Sequence, residues 1–156
     1  MEHFTFGRNN GLRVSALALG AGNFGTRWGG YGGRCRDVTC LVDRFADAGG
    51  TTIDTAASYQ VGESEEILGR MLAGRREQFT IATKFAIGGA TPDGSGVLQT
   101  GNGRRAMFRS VEDSLRRLGT DYLDLLYVHF PPDFVTPPVE EIVRAFDDLA
   151  SAGKIL

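Results

Sequence analysis

Hydrophobic and polar positions alternate at the start of the chain and then change to a longer period. Residues 4–6 and 12–15 alternate around an Asn-Gly turn at Asn10 and Gly11, which predicts a short β-hairpin. An apolar run at residues 17–20 follows, and a glycine-rich loop then continues to Arg36. The hairpin therefore precedes a body of different organisation.

The pattern after the hairpin is a strand followed by a helix, repeated to give four units. The predicted strands are residues 17–20, 51–54, 79–84 and 122–128. Each is followed by apolar residues at helical spacing: Val38, Leu41, Val42 and Phe45; Ile67, Leu68, Met71 and Leu72; Met107, Val111, Leu115 and Leu118; Ile142, Val143, Phe146 and Leu149. Gly49-Gly50 and Gly119 are typical helix ends. Thr136 and Pro137 predict the N-cap and first residue of the last helix.

Four strand–helix units with apolar strands predict an α/β protein in which parallel strands are covered by helices. Two architectures fit this pattern. One is a doubly wound open sheet, and the other is part of a (β/α)₈ barrel, which typically needs about 250 residues for eight units. The residue pattern alone leaves both open.

The sequence Gly20-Ala21-Gly22-Asn23-Phe24-Gly25 matches the G-x-G-x-x-G pattern of dinucleotide-binding loops. In such loops a helix starts at once and binds the pyrophosphate, and an acidic residue follows about 20 positions later. Here more glycines precede any helical period, and the first acidic residue is Asp37. We therefore favour a flexible loop between strand and helix over a Rossmann site.

Composition narrows the function classes. The 17 basic and 19 acidic side chains are interleaved, with a net charge of −2, so no basic face for nucleic acid is expected. No apolar run approaches the roughly 20 residues of a membrane span, and the N-terminus has no signal-peptide pattern. These features predict a cytoplasmic protein.

Ionisable residues follow the predicted strands at their C-terminal ends, where parallel barrels place their working residues. Asp54, Lys84 and His129 end the second, third and fourth strands, and Tyr59 lies in the loop after Asp54. Each alone could be a turn cap, a snorkelling lysine, a surface tyrosine or a structural histidine. Their shared position at one end of successive strands favours a common site.

These residues lie in stretches that resemble the aldo-keto reductase family. The stretches are Ile53-Asp54-Thr55-Ala56-Ala57-Ser58-Tyr59, Gly62-Glu63-Ser64-Glu65-Glu66, Thr83-Lys84 and Asp121-Tyr122-Leu123-Asp124-Leu125-Leu126-Tyr127-Val128-His129. The N-terminal hairpin is similar to the one that closes the bottom of that family's barrel, so the resemblance covers nearly the whole chain. Within the family, the chain looks most like the bacterial branch related to aryl-alcohol dehydrogenases. The resemblance implies the N-terminal half of a (β/α)₈ TIM barrel, with four βα units preceded by a hairpin.

The resemblance also implies reduction of an aldehyde or ketone by NADPH, without a metal. Tyr59 would be the general acid, since a carbonyl oxygen gains negative charge as hydride arrives and needs a proton donor. Lys84 would favour release of the tyrosine proton, Asp54 would hold Lys84 in place, and His129 would orient the carbonyl. A metal hydrolase that uses Asp54 and His129 is disfavoured because the other histidine is the remote His3.

The first long loop is expected to contribute further contacts. The resemblance implies that Gly22, Asn23 and Asp54 contact the cofactor. Asn23, Phe24 and Trp28 are expected at the mouth of the substrate pocket together with Tyr59 and His129, and simple packing of the loop residues against their neighbours is an open alternative.

The sequence departs from the family in three respects. Gln60 and Val61 stand between Tyr59 and Gly62, and Phe130-Pro131-Pro132-Asp133 follows His129; variable residues at both places are expected to affect mainly substrate choice. The chain, taken as one domain of residues 1–156, ends where the family's fifth strand would start, so we expect much of the family's cofactor site to be missing from it. A truncated half barrel would have exposed edges, which predict homodimerisation and, as an alternative to catalysis, a role as an interaction or regulatory module.

Overall fold

A computed structural model describes residues 1–29, 31–33, 35–86, 101–129 and 137–156. The chain begins with a hairpin of β1 (His3–Thr5) and β2 (Arg13–Ser15), which pair antiparallel. The four units follow as β3 (Ala18–Gly20) with α1 (Cys35–Asp47), β4 (Thr52–Asp54) with α2 (Glu63–Leu72), β5 (Thr80–Phe85) with α3 (Arg104–Leu118), and β6 (Leu125–Val128) with α4 (Val139–Ser151). The predicted hairpin and the four βα units are confirmed.

The described strands β3 to β6 form one parallel sheet in the order β3-β4-β5-β6. A doubly wound sheet reverses its strand order at a switch point, whereas a barrel adds each strand beside the last. The sequential order therefore decides for the barrel, and the chain is a partial (β/α)₈ barrel. It also places the C-terminal ends of neighbouring strands side by side at one rim.

The glycine-rich loop after β3 does not have the conformation of a Rossmann phosphate-binding loop. It does not turn directly into a helix, because α1 begins only at Cys35. Instead the loop folds back on itself: the Gly33 N–H donates to the Asn23 carbonyl at 2.7 Å, and the Gly25 N–H donates to the Gly33 carbonyl at 3.2 Å. A Rossmann phosphate site needs the helix N-terminus at this point, so that interpretation is excluded for this loop.

The hydrophobic core lies between the sheet and the helices. Its fully buried members from the strands include Ile53 and Ile81, and from the helices Leu68, Met107 and Val111. Burial of an aliphatic side chain contributes about 1.5–3 kcal/mol, so this layer stabilises the sheet from its outer face.

Three expectations about the helices are wrong. Leu41 and Val143 belong to the apolar faces predicted for their helices, but their exposed fractions are 51% and 50%. In α1 and α4 the buried stripe is narrower than the apolar pattern: Val38 and Val42 are buried in α1, and Ile142 and Leu149 are buried in α4. Pro137 does not begin the last helix, which starts at Val139 after Pro138. The predicted cap Thr136 lies outside the described residues.

The predicted helix end at Gly119 is confirmed. Gly119 has φ 64°, the left-handed conformation that closes many helices, and its N–H donates to the Leu115 carbonyl. In the described part of the chain, none of the helices combines the length and apolar character needed to cross a bilayer.

Candidate active site

Asp54 and Lys84 lie at the C-terminal ends of the neighbouring strands β4 and β5, and their side chains meet. Lys84 Nζ donates to Asp54 Oδ2 at 2.6 Å, to the Thr55 carbonyl at 2.8 Å and to the Tyr59 hydroxyl at 3.2 Å. A protonated lysine has three N–H donors, so one ammonium group serves an acid, a carbonyl and a phenol. The separate predictions for these three side chains converge on one cluster.

The backbone after β4 explains how Tyr59 reaches Lys84. The segment continues along β5 beyond the strand itself: the Thr55 N–H donates to the Ala82 carbonyl at 2.8 Å, and the Ala57 N–H to the Lys84 carbonyl at 3.1 Å. The Tyr59 N–H then closes a turn on Ala56. This turn brings the phenol back over the lysine.

The Lys84–Asp54 ion pair lies at the rim of the sheet, next to the Tyr59 ring. The side chain of Lys84 is 15% exposed and that of Asp54 is 34% exposed, so the lysine is mostly buried and the carboxylate keeps partial access to water. The ammonium also lies 4.7 Å from the centre of the Tyr59 ring. The ammonium therefore contacts both the hydroxyl and the ring of Tyr59.

His129 lies on the other side of Tyr59. The backbone N–H of His129 donates to the Phe85 carbonyl at 3.0 Å, which extends the β5–β6 pairing by one residue. The two rings stand edge to face, with centroids 5.6 Å apart and an interplanar angle of 81°. Burial lowers the pKa of His129 below its usual 6.5, the Lys84 charge lowers it further, and the Asp54 charge acts in the opposite direction. His129 is thus neutral near pH 7, with one ring nitrogen able to donate.

The first long loop contributes unequally to this cluster. Trp28 lies against Tyr59, with ring centroids 6.0 Å apart at 83°. Gly22 lies so near that a Cβ on it would come to 3.8 Å from the Tyr59 ring. Asn23 is exposed, while Phe24 is buried in the hydrophobic core. For Phe24, the structure thus corresponds to the alternative of packing against neighbours.

Two residues near the cluster were not predicted as part of it. Tyr127 pairs in register with Lys84, so both side chains lie on the same face of the sheet. Gln60, expected to be a variable loop residue, is fully buried and bonded to the long loop. Side chains alternate between the two faces of a strand, so Tyr127, two residues before His129, could have been predicted on the same face as His129. Nothing local in the sequence distinguishes a buried glutamine from a surface one.

Among the residues that the structure describes, no three histidine, cysteine or acidic side chains are grouped closely enough to hold a metal ion. Asp54 has the lysine ammonium as its partner instead. The cluster is organised around that ammonium group.

Curated relatives match nearly the whole of this chain. The chain is 39% identical over 161 residues to norsolorinic acid reductase of Aspergillus flavus, a match that covers 99% of this chain and 41% of that protein. It is 39% identical over 156 residues to an aryl-alcohol dehydrogenase [NADP(+)] of Phanerodontia chrysosporium, covering 94% of this chain and 40% of the relative. The chain thus spans about 40% of the length of these curated relatives.

A solved structure shows the same fold. A Pseudomonas aeruginosa protein assigned to the aldo-keto reductases superposes with a TM-score of 0.78 at 32% identity, over 98% of this chain and 56% of that one. The sequence pattern of the Aldo/keto reductase family matches residues 16–156, which include every strand of the parallel sheet and the Asp54–Tyr59–Lys84–His129 cluster. By sequence and by fold, the chain belongs to the aldo/keto reductase family.

Proposed function

We propose that this chain carries the proton-donating part of an NADPH-dependent oxidoreductase that reduces an aldehyde or ketone to an alcohol. The observation that carries the proposal is the single ammonium of Lys84 bonded at once to Asp54 and to the Tyr59 hydroxyl. The names of two relatives, an aryl-alcohol dehydrogenase and a norsolorinic acid reductase, support an aromatic carbonyl substrate.

In this proposal Tyr59 donates its proton to the carbonyl oxygen of the substrate. Lys84 stabilises the resulting phenolate, because its ammonium lies 3.2 Å from the hydroxyl. Asp54 keeps the ammonium in place through the 2.6 Å ion pair. Neutral His129 donates a hydrogen bond to the same carbonyl oxygen and so fixes its orientation.

The residues present fit one side of a nicotinamide cofactor. Gly22 has no side chain beside the Tyr59 ring, and a third of the Asp54 side chain is exposed to accept hydrogen bonds. We propose that Gly22, Asn23 and Asp54 contact this side, and that Trp28 borders the substrate pocket. When bound, NADPH would supply the hydride. The printed name of the Phanerodontia chrysosporium relative supports NADP(H) as the cofactor.

The test is a comparison of the chain with its Tyr59→Phe variant, using NADPH and an aromatic aldehyde. Phenylalanine keeps the ring contacts to Trp28 and His129 but has no proton to donate, so turnover should fall by about a hundredfold or more while NADPH binding is unchanged. Loss of NADPH absorbance measures turnover, and fluorescence titration measures binding. Equal turnover of the two proteins would remove Tyr59 from the mechanism, and no turnover by the unsubstituted chain would contradict the proposal.

A non-catalytic role as a half-barrel interaction module remains the alternative prediction. In the described sheet β3 and β6 are the two outer strands, and each offers an edge for pairing. Sedimentation of the chain, with and without NADPH, measures the homodimer that these edges predict. The cytoplasmic location likewise stays a prediction from the sequence.

A further inference from the structure

Gln60 occupies a position that an ordinary variable loop residue would not. It follows Tyr59 directly, it is fully buried, and its backbone is left-handed with φ 51° and ψ 34°. A left-handed backbone is unfavourable for a residue with a Cβ, and burial of an amide is unfavourable unless the amide is hydrogen-bonded. Such a conformation persists only where surrounding contacts hold it.

The hydrogen bonds of the Gln60 side chain go to the glycine-rich loop. The Gln60 side-chain oxygen accepts a hydrogen bond from the backbone N–H of Trp28 at 2.9 Å. Its side-chain nitrogen donates to the Tyr31 carbonyl at 2.8 Å and to the Gly22 carbonyl at 3.3 Å. One amide therefore binds three points of a loop that is about 30 positions earlier in the sequence.

The loop also fits closely around this side chain. A Cβ on Gly25 would come to 2.8 Å from Gln60 Cβ, and Gly25 has φ 135°, which side-chain-bearing residues rarely adopt. Farther along the loop, the Thr26 N–H donates to Glu63 at 2.7 Å, and Arg27 pairs with Glu66 at 3.0 Å. The Gln60 contacts are therefore the ones nearest the phenol, and the others hold the loop to the start of α2.

We infer that Gln60 is a positioning residue that clamps the glycine-rich loop, so that Trp28 and Gly22 stay against the ring of Tyr59. Both lie beside that ring, Trp28 with its centroid at 6.0 Å. Loss of the amide contacts lets the aromatic wall beside Tyr59 move. The part of the inference that concerns substrate rests on the proposed function, whereas the clamp itself does not.

Trp28 is the single tryptophan of the chain, so its fluorescence reports directly on the clamp. We expect Gln60→Leu, which keeps the approximate size but has no amide, to shift Trp28 emission to the red and to raise acrylamide quenching about twofold. Val61→Gly is the matched control: Val61 is also left-handed, with φ 57°, so this variant relaxes the same turn and leaves the amide in place. It should quench like the unsubstituted chain.

Gln60→Glu provides a second arm if Gln60→Leu does not fold by circular dichroism. Glutamate keeps an oxygen that accepts from the backbone N–H of Trp28, but it loses the hydrogen bonds to the Gly22 and Tyr31 carbonyls. Intermediate quenching is therefore expected. Quenching equal to the unsubstituted chain in the folded Gln60 variants, or equal quenching in Gln60→Leu and Val61→Gly, would overturn the clamp.

Turnover then separates the clamp from the proposed function. We expect the Gln60 variants to raise KM for an aromatic aldehyde about fivefold, with kcat changed less than about twofold, because they alter substrate positioning and not proton donation. Released Trp28 with an unchanged KM would overturn the positioning role. If the unsubstituted chain shows no turnover, the proposed function fails, and the quenching comparison still decides the clamp.

Discussion

Two ion pairs of the same length lie on opposite faces of β5 but differ in their surroundings. Lys84 pairs with Asp54 and Arg117 pairs with Glu65, and both nitrogen–oxygen distances are 2.6 Å. The first pair faces the inside of the barrel. The second lies under the helices, where the neighbouring strand residue Thr83 also contacts Glu65. Alternation along a strand sends adjacent side chains to opposite faces.

The pairs differ in what else their atoms contact. Glu65 is fully buried, and its two oxygens accept from Thr83 at 2.6 Å and from Arg117 at 2.6 Å. The lysine pair is partly exposed, and its ammonium also touches a phenol. An ion pair therefore does not by itself mark a reactive site. The distinguishing feature is a third, ionisable partner on a side that substrate can reach.

The largest effect is expected from Lys84→Met, which removes the ammonium but keeps the stem. Turnover should fall about a hundredfold to a thousandfold, the loss associated with removal of one stabilising donor. The free energy of unfolding should fall by about 1–2 kcal/mol, less than for a fully buried pair, because the carboxylate of Asp54 that is left behind is still about a third exposed to water. Assays of turnover and urea unfolding on the same preparations measure both. A large loss of stability would make this pair structural like the other.

Glu65→Gln should give the opposite result with a smaller effect. The amide keeps the shape but presents an N–H group or a neutral oxygen to Arg117, so we expect a loss of about 2–3 kcal/mol in the free energy of unfolding. Turnover of the folded fraction should change little, since Glu65 lies on the face away from Tyr59. Urea unfolding measures the loss, and unchanged stability would show that the buried pair is dispensable.

The smallest effect is a pH dependence through His129. Because its pKa in the folded chain is below 6.5, the unfolded chain takes up the proton first as the pH falls. Stability is therefore retained above about pH 6.5 and is lost as the pH falls from there through the folded pKa. His129→Asn should remove this loss. Lys84→Met should reduce it, because the Lys84 charge contributes to the lowering, and Glu65→Gln should leave it unchanged. Free energies of unfolding of these variants, measured above and below pH 6.5, would show whether His129 is influenced by the Lys84–Asp54 pair and not by the Arg117–Glu65 pair.

The residues of the Lys84–Asp54 pair could be predicted from the sequence, whereas the Arg117–Glu65 pair could not. The strand ends carrying Asp54, Lys84 and His129 follow from local patterns, since parallel strands bring their C-terminal ends to one rim. Glu65 stands out in the sequence only as one residue of the stretch Gly62-Glu63-Ser64-Glu65-Glu66. Its burial depends on Arg117, 52 positions away, and no local signal reports such a contact. Gln60 was missed for the same reason, because its partners lie in the distant glycine-rich loop.

The corner between Tyr59 and α2 constrains how the chain can be redesigned. Gln60, Val61 and Gly62 are successive left-handed residues, with φ of 51°, 57° and 84°. Among L residues asparagine and aspartate tolerate this conformation best, whereas a β-branched side chain such as that of Val61 is poorly suited to it. A library that varies position 61 should therefore enrich Gly, Asn and Asp, each relieving about 1 kcal/mol of strain. That reserve of stability could offset destabilising changes made elsewhere around Trp28 to fit a new substrate.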